Sequence, residues 1–275
     1  MDFRYKFNRY AVHPRFMDPE PNHFSATDKR ELWEANLQKM PADWHYRSKE
    51  VFYRRDDLGY RSKNLYEIDK SNFFITYGCS YTEGVGLAED ETWPYVLGSE
   101  LGMDYLNHGL GGTGSQVIFL NSMCFISNTE IRPKFVVCQW PSIARQLFKR
   151  LDVWTDMVPQ SMGKVLKVPE ALAQWDYSVK TESYLFDSYI AFKSTQAIWK
   201  AVGVPVYNWC MNTEYNKVAE EHVCDLYFPT DRDHEPQNMA RDGSHWGRNY
   251  HIDTAKKIAQ KLRNDPKFGL PPVDF

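Results

Sequence analysis

Apolar positions become regular only after residue 70 of the chain. Short apolar runs at 73–77, 104–108, 135–140 and 205–210 predict buried strands, and 223–227 predicts a short fifth strand. Between them, apolar residues recur at helical spacing near 93–101, 115–124, 183–202 and 246–262. Alternation of strands with helices is typical of parallel sheets with right-handed crossovers. The pattern therefore predicts an α/β fold with a parallel sheet of about five strands.

The rest of the chain is less regular. Residues 1–70 are rich in charges and aromatics, and we expect an N-terminal extension packed on the core, with a helix that Thr27 caps. The main domain would span 71–265, and 266–275 would form a tail. Residues 145–182 break the alternation, which favours an insertion that forms a lid, a groove wall or a surface excursion without a function.

Composition narrows the function classes. The 275 residues are 43% hydrophobic and 25% charged, as in an ordinary soluble domain, and the net charge of -3 gives no basic field for nucleic acid or anionic membranes. No apolar run reaches the roughly 18 residues of a membrane span, and the N-terminus lacks the apolar segment of a signal peptide. Five cysteines without a CxxC pair favour a reducing compartment. We expect a cytoplasmic protein, or one otherwise without a signal peptide, and the oligomeric state stays open.

Ser80 follows the first predicted strand and lies between Gly78 and Gly84. Open α/β sheets bind ligands beyond the carboxyl ends of their strands, so Ser80 is a candidate nucleophile. Taken alone, a turn serine more often caps a helix or bonds to the local backbone. Cys79, just before the turn, is expected to pack inward as a small apolar group.

The other parts of an acyl-transfer site also occur at predicted strand or helix ends. His245 precedes the last helix, and Asp242 lies three residues earlier, where it can hold the histidine in one tautomer. The glycine loop at 109–114 and the turn at Ser80 can offer backbone N–H groups to an oxyanion. Asp242 and His245 could also be a helix-capping pair.

These segments together resemble the SGNH hydrolases, also called GDSL esterases and lipases. The first family block corresponds to Gly78-Cys79-Ser80 with Gly84, with cysteine in place of the usual aspartate, and the second to Asn107 through Gly112. The last block matches Asp242 and His245, and the turn at 58–61 is similar to one found upstream in family esterases. The resemblance covers residues 55–262 in order.

The resemblance implies a flavodoxin-like, three-layer α/β/α fold and a serine esterase. Ser80 would attack the ester, His245 would act as base and acid, and Asp242 would orient His245. The N–H groups of Ser80 and Gly112 would bind the oxyanion. The substrate would carry a small acyl group, such as acetyl, on a carbohydrate or another polar alcohol. The carbohydrate is suggested only by the 15% aromatic content, because aromatic side chains often bind sugars. No cofactor and no metal are expected.

One family feature is absent. The third block normally supplies an oxyanion-hole asparagine, but here the strand ends Gln139-Trp140-Pro141-Ser142. Gln139 or Ser142 could donate instead, and the residues do not decide between them. Loss of one such donor costs on the order of 100- to 1000-fold in rate. The alternative is therefore a catalytically weak binding or structural module of the same fold.

A dinucleotide-binding protein is the other alternative. Gly109 to Gly114 reads GxGxxG after a strand and before a helix. The acidic residue that should close the next strand is missing, since that strand closes with Gln139-Trp140.

The polar residues around 222–235 lack the paired spacing of a structural zinc site, and we expect solvated loop residues there.

Overall fold

The computed structural model describes residues 22–25, 27–150, 153–157, 169–210, 225–227 and 235–270. Predictions that fall on the other residues, including most of the 211–234 segment, lie outside this part of the chain. The strands are β1 Phe73–Gly78, β2 Asp104–Gly109, β3 Val136–Trp140, β4 Gln146–Arg150, β5 Val153–Met157, β6 Val206–Cys210 and β7 Leu226–Tyr227. The helices are α1 Arg30–Lys39, α2 Ser80–Glu83, α3 Trp93–Leu101, α4 Ser115–Asn128, α5 Pro169–Thr181, α6 Ser183–Ala201 and α7 Arg248–Asn264.

Five of the strands form one parallel sheet in the order β2-β1-β3-β6-β7. If the β4–β5 hairpin is left out of the count, this is the 2-1-3-4-5 order of flavodoxin-like folds. The register pairs Phe73 with Asp104 and Gly78 with Gly109, so β1 and β2 end side by side. The predicted α/β fold with a parallel sheet of about five strands is confirmed.

The sheet is covered on both faces. Phe73, Ile75 and Tyr77 alternate toward one face, where they join a core that includes α6 residues such as Trp199. Phe74, between them, points to the opposite face and packs in a second core with residues of α3 and α7. All six residues of β1 are buried, as expected for a central strand covered on both sides.

Several element boundaries differ from the sequence-based prediction. The last helix begins at Arg248 rather than Trp246, because Trp246 forms a β-bridge with Met239 and Gly247 is the N-cap. Helix α1 begins at Arg30 without a side-chain cap, and Thr27 instead donates to Asp242. The predicted Thr27 cap was therefore wrong.

The 145–182 segment contains an antiparallel hairpin, β4 with β5, and helix α5. The hairpin was not predicted. Gln146, at the start of β4, is buried, and its side-chain amide donates to Tyr184 O and Ser188 Oγ of α6. The described part of this segment is thus anchored to the main domain, and a role as lid or groove wall stays a proposal.

Residues 22–70 lie against the sheet domain through a third core. Trp44, Tyr46 and Tyr53 are buried there with Leu87 and Ala240, which come from the sheet domain. This packing supports an N-terminal extension that lies on the core. The extension and its boundary at residue 70 remain a proposal.

The cysteines bear on the expected compartment. Cys79, Cys124 and Cys138 are free thiols, whereas Cys210 is disulfide-bonded. A disulfide runs counter to the expectation of a reducing compartment, because thiols are kept reduced there. Among the described helices, none combines the length and hydropathy needed to cross a bilayer.

A buried ion pair joins the N-terminal segment to the loop before α7. Arg241 donates from Nη2 to Asp28 Oδ2 at 2.7 Å, and the side chains of both residues are at most 5% exposed. Tyr53 also donates to Asp28 Oδ2 at 2.6 Å. Removal of one partner from a buried pair leaves the other charge without compensation, which is more costly than loss of a surface pair.

We therefore expect Asp28→Asn to lower the free energy of unfolding by about 3 to 5 kcal/mol, measured by urea denaturation. Asp90→Asn is the matched control, because Asp90 pairs with Lys49 at 3.3 Å on the surface with 56% of its side chain exposed. Its expected cost is below about 1 kcal/mol. Equal costs for the two variants would contradict a structural role of the buried pair.

Candidate active site

Ser80 lies at the first position of α2, directly after the end of β1. Gly78 allows this tight turn, since a Cβ atom there would lie 2.0 Å from Thr82 Oγ1 and 2.7 Å from Gln139 Oε1. Gly84 closes the short helix with φ of +78°, a conformation that favours glycine. The turn thus presents Ser80 at the carboxyl edge of the sheet, as predicted.

The structure brings His245 to Ser80 and Asp242 to His245. His245 Nε2 is 2.8 Å from Ser80 Oγ, and His245 Nδ1 is 2.7 Å from Asp242 Oδ2. A carboxylate can only accept hydrogen bonds, so Nδ1 carries a proton, and the tautomer without a proton on Nε2 can accept from the serine. This is the geometry in which a histidine can remove the proton of a serine hydroxyl.

Asp242 is buried, and five donors surround its carboxylate. Oδ1 accepts from the N–H groups of Ser244 and His245 at 3.0 Å each, and Oδ2 accepts from His245 Nδ1, Ser244 Oγ and Thr27 Oγ1. Burial by itself raises the pKa of Asp242, but the hydrogen bond from His245, its electrostatic attraction and the hydrogen bonds from Ser244 outweigh burial and hold the pKa well below its usual range. Asp242 therefore stays ionised and fixes the orientation of the imidazole.

Aromatic side chains line the other side of His245. The ring of Tyr81 lies 4.9 Å from that of His245 and 4.5 Å from that of Trp246. Tyr81 and Trp246 are both half-buried, so part of each ring faces outward beside the histidine. Ser80 itself is only 8% exposed. Solvent therefore contacts Ser80 over only a small area, and the ring of Tyr81 lies beside the histidine that contacts it.

The glycine loop after β2 lies beside the serine turn. A Cβ atom on Gly109 would come within 2.4 Å of Glu83 N, so a side chain there would push the end of β2 away from α2. Gly112 has φ of +84°. Within the part of the chain that the structure describes, no hydrogen bond uses the N–H of Ser80 or that of Gly112. These two groups remain available as donors.

Glu83 links the serine helix to the glycine loop. Its Oε2 accepts from Gly111 N at 2.6 Å, and its Oε1 accepts from Arg55 Nη2 at 2.7 Å in an ion pair that is almost completely buried. Asn107, also buried, donates to Thr82 O and accepts from Gly109 N. The roles of Glu83 and Arg55 were not predicted, since no local spacing relates these residues to the glycine loop.

Gln139 has a different position from the one considered in the sequence analysis. It is fully buried; its Oε1 accepts from Cys79 N at 3.0 Å and from Thr82 Oγ1 at 3.1 Å, and its Nε2 donates to Trp140 O. This placement favours support of the serine turn over donation to an oxyanion. Ser142 is partly exposed just beyond β3, and its Oγ accepts from Ala144 N at 3.4 Å.

Cys79 is also buried, and its thiol contacts Gln139 Oε1 at 3.1 Å. Its side chain packs inward, as expected from the sequence. The serine, not the cysteine, therefore contacts the histidine.

The loop fits a pyrophosphate poorly. Gly111, inside the GxGxxG segment, already donates its N–H to the buried carboxylate of Glu83. This N–H is therefore already used, although the backbone N–H groups of such a loop should bind the phosphate in a dinucleotide fold. The arrangement therefore disfavours the nucleotide alternative. Among the described residues, no three histidine, cysteine, aspartate or glutamate side chains cluster in a way that could hold a metal ion.

The depressed pKa of Asp242 gives a pH prediction. Ionised Asp242 stabilises the folded protein above its unfolded pKa of about 3.9, and this contribution is lost as the pH falls toward the lower folded value. We expect Asp242→Asn to be less stable than the parent by on the order of 2 kcal/mol at pH 7, with the gap closing below about pH 4. Urea denaturation at graded pH measures it. The surface variant Asp90→Asn should show no comparable gap; a gap for Asp242→Asn that is as large at pH 2 as at pH 7 would contradict the inferred ionisation.

Comparison with known proteins gave matches only at the level of structure. No protein-family model and no curated protein matches the chain. The psychrotrophic esterase EstA from Pseudoalteromonas sp. has 11% identity and a TM-score of 0.45, and covers 70% of this chain and 100% of its own. The acetyl xylan esterase Est2A from Butyrivibrio proteoclasticus has 13% identity and a TM-score of 0.43, and covers 72% of this chain and 64% of its own.

A third match is AlinE4, an SGNH-hydrolase family esterase, with 11% identity, a TM-score of 0.35 and coverage of 54% of this chain and 68% of its own. All three TM-scores are below 0.5. Several of the matched structures bear the names of GDSL or SGNH esterases and lipases.

Proposed function

We propose that the protein is a serine-dependent ester hydrolase that removes a small acyl group, acetyl in particular, from a carbohydrate or another polar alcohol. The observation that carries the proposal is the pair of hydrogen bonds at His245, 2.8 Å to Ser80 Oγ and 2.7 Å to Asp242 Oδ2. Nucleophile, base and orienting carboxylate are thereby connected in the order that acyl transfer requires.

In the first half of the reaction, Ser80 Oγ attacks the ester carbonyl carbon while His245 Nε2 takes the hydroxyl proton. The imidazolium that forms is stabilised by ionised Asp242. The N–H groups of Ser80 and Gly112 donate to the developing oxyanion. When the tetrahedral intermediate collapses, the bond to the alcohol breaks, and the alcohol leaves with the proton from His245.

In the second half, water attacks the acyl-serine and His245 takes its proton. Collapse of the second tetrahedral intermediate breaks the bond to Ser80, which regains its proton from His245, and the carboxylic acid leaves. Water is the only co-substrate, and the enzyme returns to its starting state. The proposed mechanism needs no cofactor.

The substrate class rests on the approach to the serine. Ser80 is 8% exposed, which supports a small acyl group. Tyr81 and Trp246 present partly exposed rings next to His245, and the faces of such rings pack against the apolar faces of sugars. A carbohydrate or similar polyol is therefore the alcohol that we propose.

A second candidate is a binding or structural module with little remaining activity. It is favoured by the burial of Gln139, whose side-chain amide already donates to Trp140 O and does not serve as a third oxyanion donor. A missing third donor would slow the reaction by on the order of 100- to 1000-fold. Under this alternative the Ser80 hydroxyl would not react with an active-site label.

The first test is a fluorophosphonate probe with Ser80→Ala. We expect stoichiometric phosphonylation of the parent at Ser80, and a loss of at least about a thousandfold in kcat/KM on p-nitrophenyl acetate in the variant. Ser99→Ala, an exposed serine on α3, is the control and should match the parent. Failure of the parent to label would favour the binding module, and full activity of Ser80→Ala would refute the nucleophile.

The second test addresses the acyl group and the alcohol. We expect kcat/KM to fall as the acyl chain of p-nitrophenyl esters grows from acetyl to octanoyl. The small exposed area of Ser80 leaves little room for a long chain. Acetylated xylo-oligosaccharides should outperform ethyl acetate through contacts with Tyr81 and Trp246, and Trp246→Leu should remove that preference while p-nitrophenyl acetate is still cleaved. A rate that rises with chain length would overturn the small-acyl proposal without affecting the triad.

A further inference from the structure

A second cavity lies on one face of the edge strand β2, away from the serine turn. Its volume is about 300 Å³, and its walls come from β2, the second half of α4 and the 56–66 segment. Neither the proposed triad residues nor Gly112 lines it. The volume is near the lower limit for small-molecule sites, so a ligand of about the size of a substituted benzene ring would fit.

The inner part of the cavity is apolar and aromatic. Leu106 and His108 of β2 form its floor, and the ring of Tyr60 stacks on His108 with centroids 4.2 Å apart. Two large apolar side chains are exposed at its mouth, Leu58 at 47% and Tyr66 at 68%. A bound apolar group would be removed from water by the floor and covered by these two side chains.

The charged groups of the cavity are all acidic. Asp56 and Asp57 line it, and no lysine or arginine does. Asp56 is only 8% exposed, and its Oδ1 accepts from the N–H groups of Leu58 and Tyr60. Burial raises the pKa of Asp56 to about 7, with hydrogen bonds from Tyr60 and Leu58 opposing the shift.

Among the described residues, no cationic side chain forms an ion pair with Asp56 or Asp57. A buried carboxylate without a countercharge is costly, and a cation brought by a ligand would offset that cost.

Two other polar groups favour the same ligand. Asn121 lines the cavity, is 4% exposed, and has an Oδ1 atom that is buried without a hydrogen-bond partner. Burial lowers the pKa of His108 to about 3, so its imidazole is neutral and does not add a positive charge. An amide oxygen and a carboxylate are acceptors, and a ligand that matches them must be a donor.

We propose that this cavity binds a small protonated organic amine with an aromatic body, its ammonium group at Asp56 and its ring between Tyr60 and Leu106. Aromatic walls suit such a ligand, because the faces of aromatic rings attract cations. The site is independent of the proposed esterase activity, since it shares no residue with the Ser80 site.

Three probes with nearly the same body and different charge test the proposal: phenethylamine, 2-phenylethanol and phenylacetate. Calorimetric titration of the whole protein at pH 8 should show saturable binding of phenethylamine, at least about tenfold weaker binding of the alcohol, and none of the carboxylate. Equal binding of amine and alcohol would overturn the ammonium proposal, and so would no binding of any probe.

Two aspartate variants locate the charge. Asp56→Asn keeps the shape and the acceptor for the turn, and we expect it to weaken phenethylamine binding by at least about tenfold. Asp57→Asn also removes one negative charge, but at the exposed mouth of the cavity. It should weaken phenethylamine binding by less than about threefold. Unchanged binding by Asp56→Asn, with a melting temperature near that of the parent, would contradict the proposal.

Cys124 reports the position of the ligand independently of those variants. It lines the cavity as a half-buried free thiol, whereas Cys79 and Cys138 are fully buried. Phenethylamine should slow maleimide labelling of Cys124, identified by comparison with Cys124→Ala, and Cys124→Phe should abolish binding by filling the space. Protein phosphonylated at Ser80 should bind as before; loss of binding there would place the amine in the serine site and refute a second site.

Discussion

The hydrogen bond between His245 Nε2 and Ser80 Oγ joins two parts of the chain that are 165 residues apart. It forms only if the end of β1 and the loop before α7 are both fixed at the carboxyl edge of the sheet. A shift of about 1 Å at either end would break a contact of 2.8 Å, since hydrogen bonds weaken steeply with distance. The contacts around the site must therefore fix the positions of these two backbone segments.

Each segment has its own buried support. Gln139 stabilises the serine turn, because its side-chain oxygen accepts from Cys79 N and Thr82 Oγ1. Asn107 adds a hydrogen bond to Thr82 O. The histidine loop is held by Arg241, which pairs with Asp28. In both places a polar side chain is buried with its hydrogen-bonding groups largely used, which is the condition under which such groups rigidify a site.

The N-terminal segment contributes directly to both supports. Asp28 pairs with Arg241, Thr27 donates to Asp242, and Arg55 pairs with Glu83, which in turn accepts from the glycine loop. Buried ion pairs add little net stability compared with apolar packing, but they resist displacement because each partner alone is costly. We infer that residues 22–70 position the site rather than merely cover the sheet.

The sequence by itself determined the parallel α/β sheet and the order of the segments that form the candidate site. Ser80, Asp242 and His245 could be assigned to these segments from the sequence. Those features depend on local periodicity, on turn residues and on the fact that parallel strands end at one edge, all of which a single chain displays. The β4–β5 hairpin, the disulfide at Cys210 and the buried role of Gln139 were decided only by the tertiary structure. So were the contacts of Thr27 with Asp242, 215 residues away, and of Arg55 with Glu83. Pairing between distant side chains depends on how the elements pack in three dimensions, and no spacing along the chain encodes it.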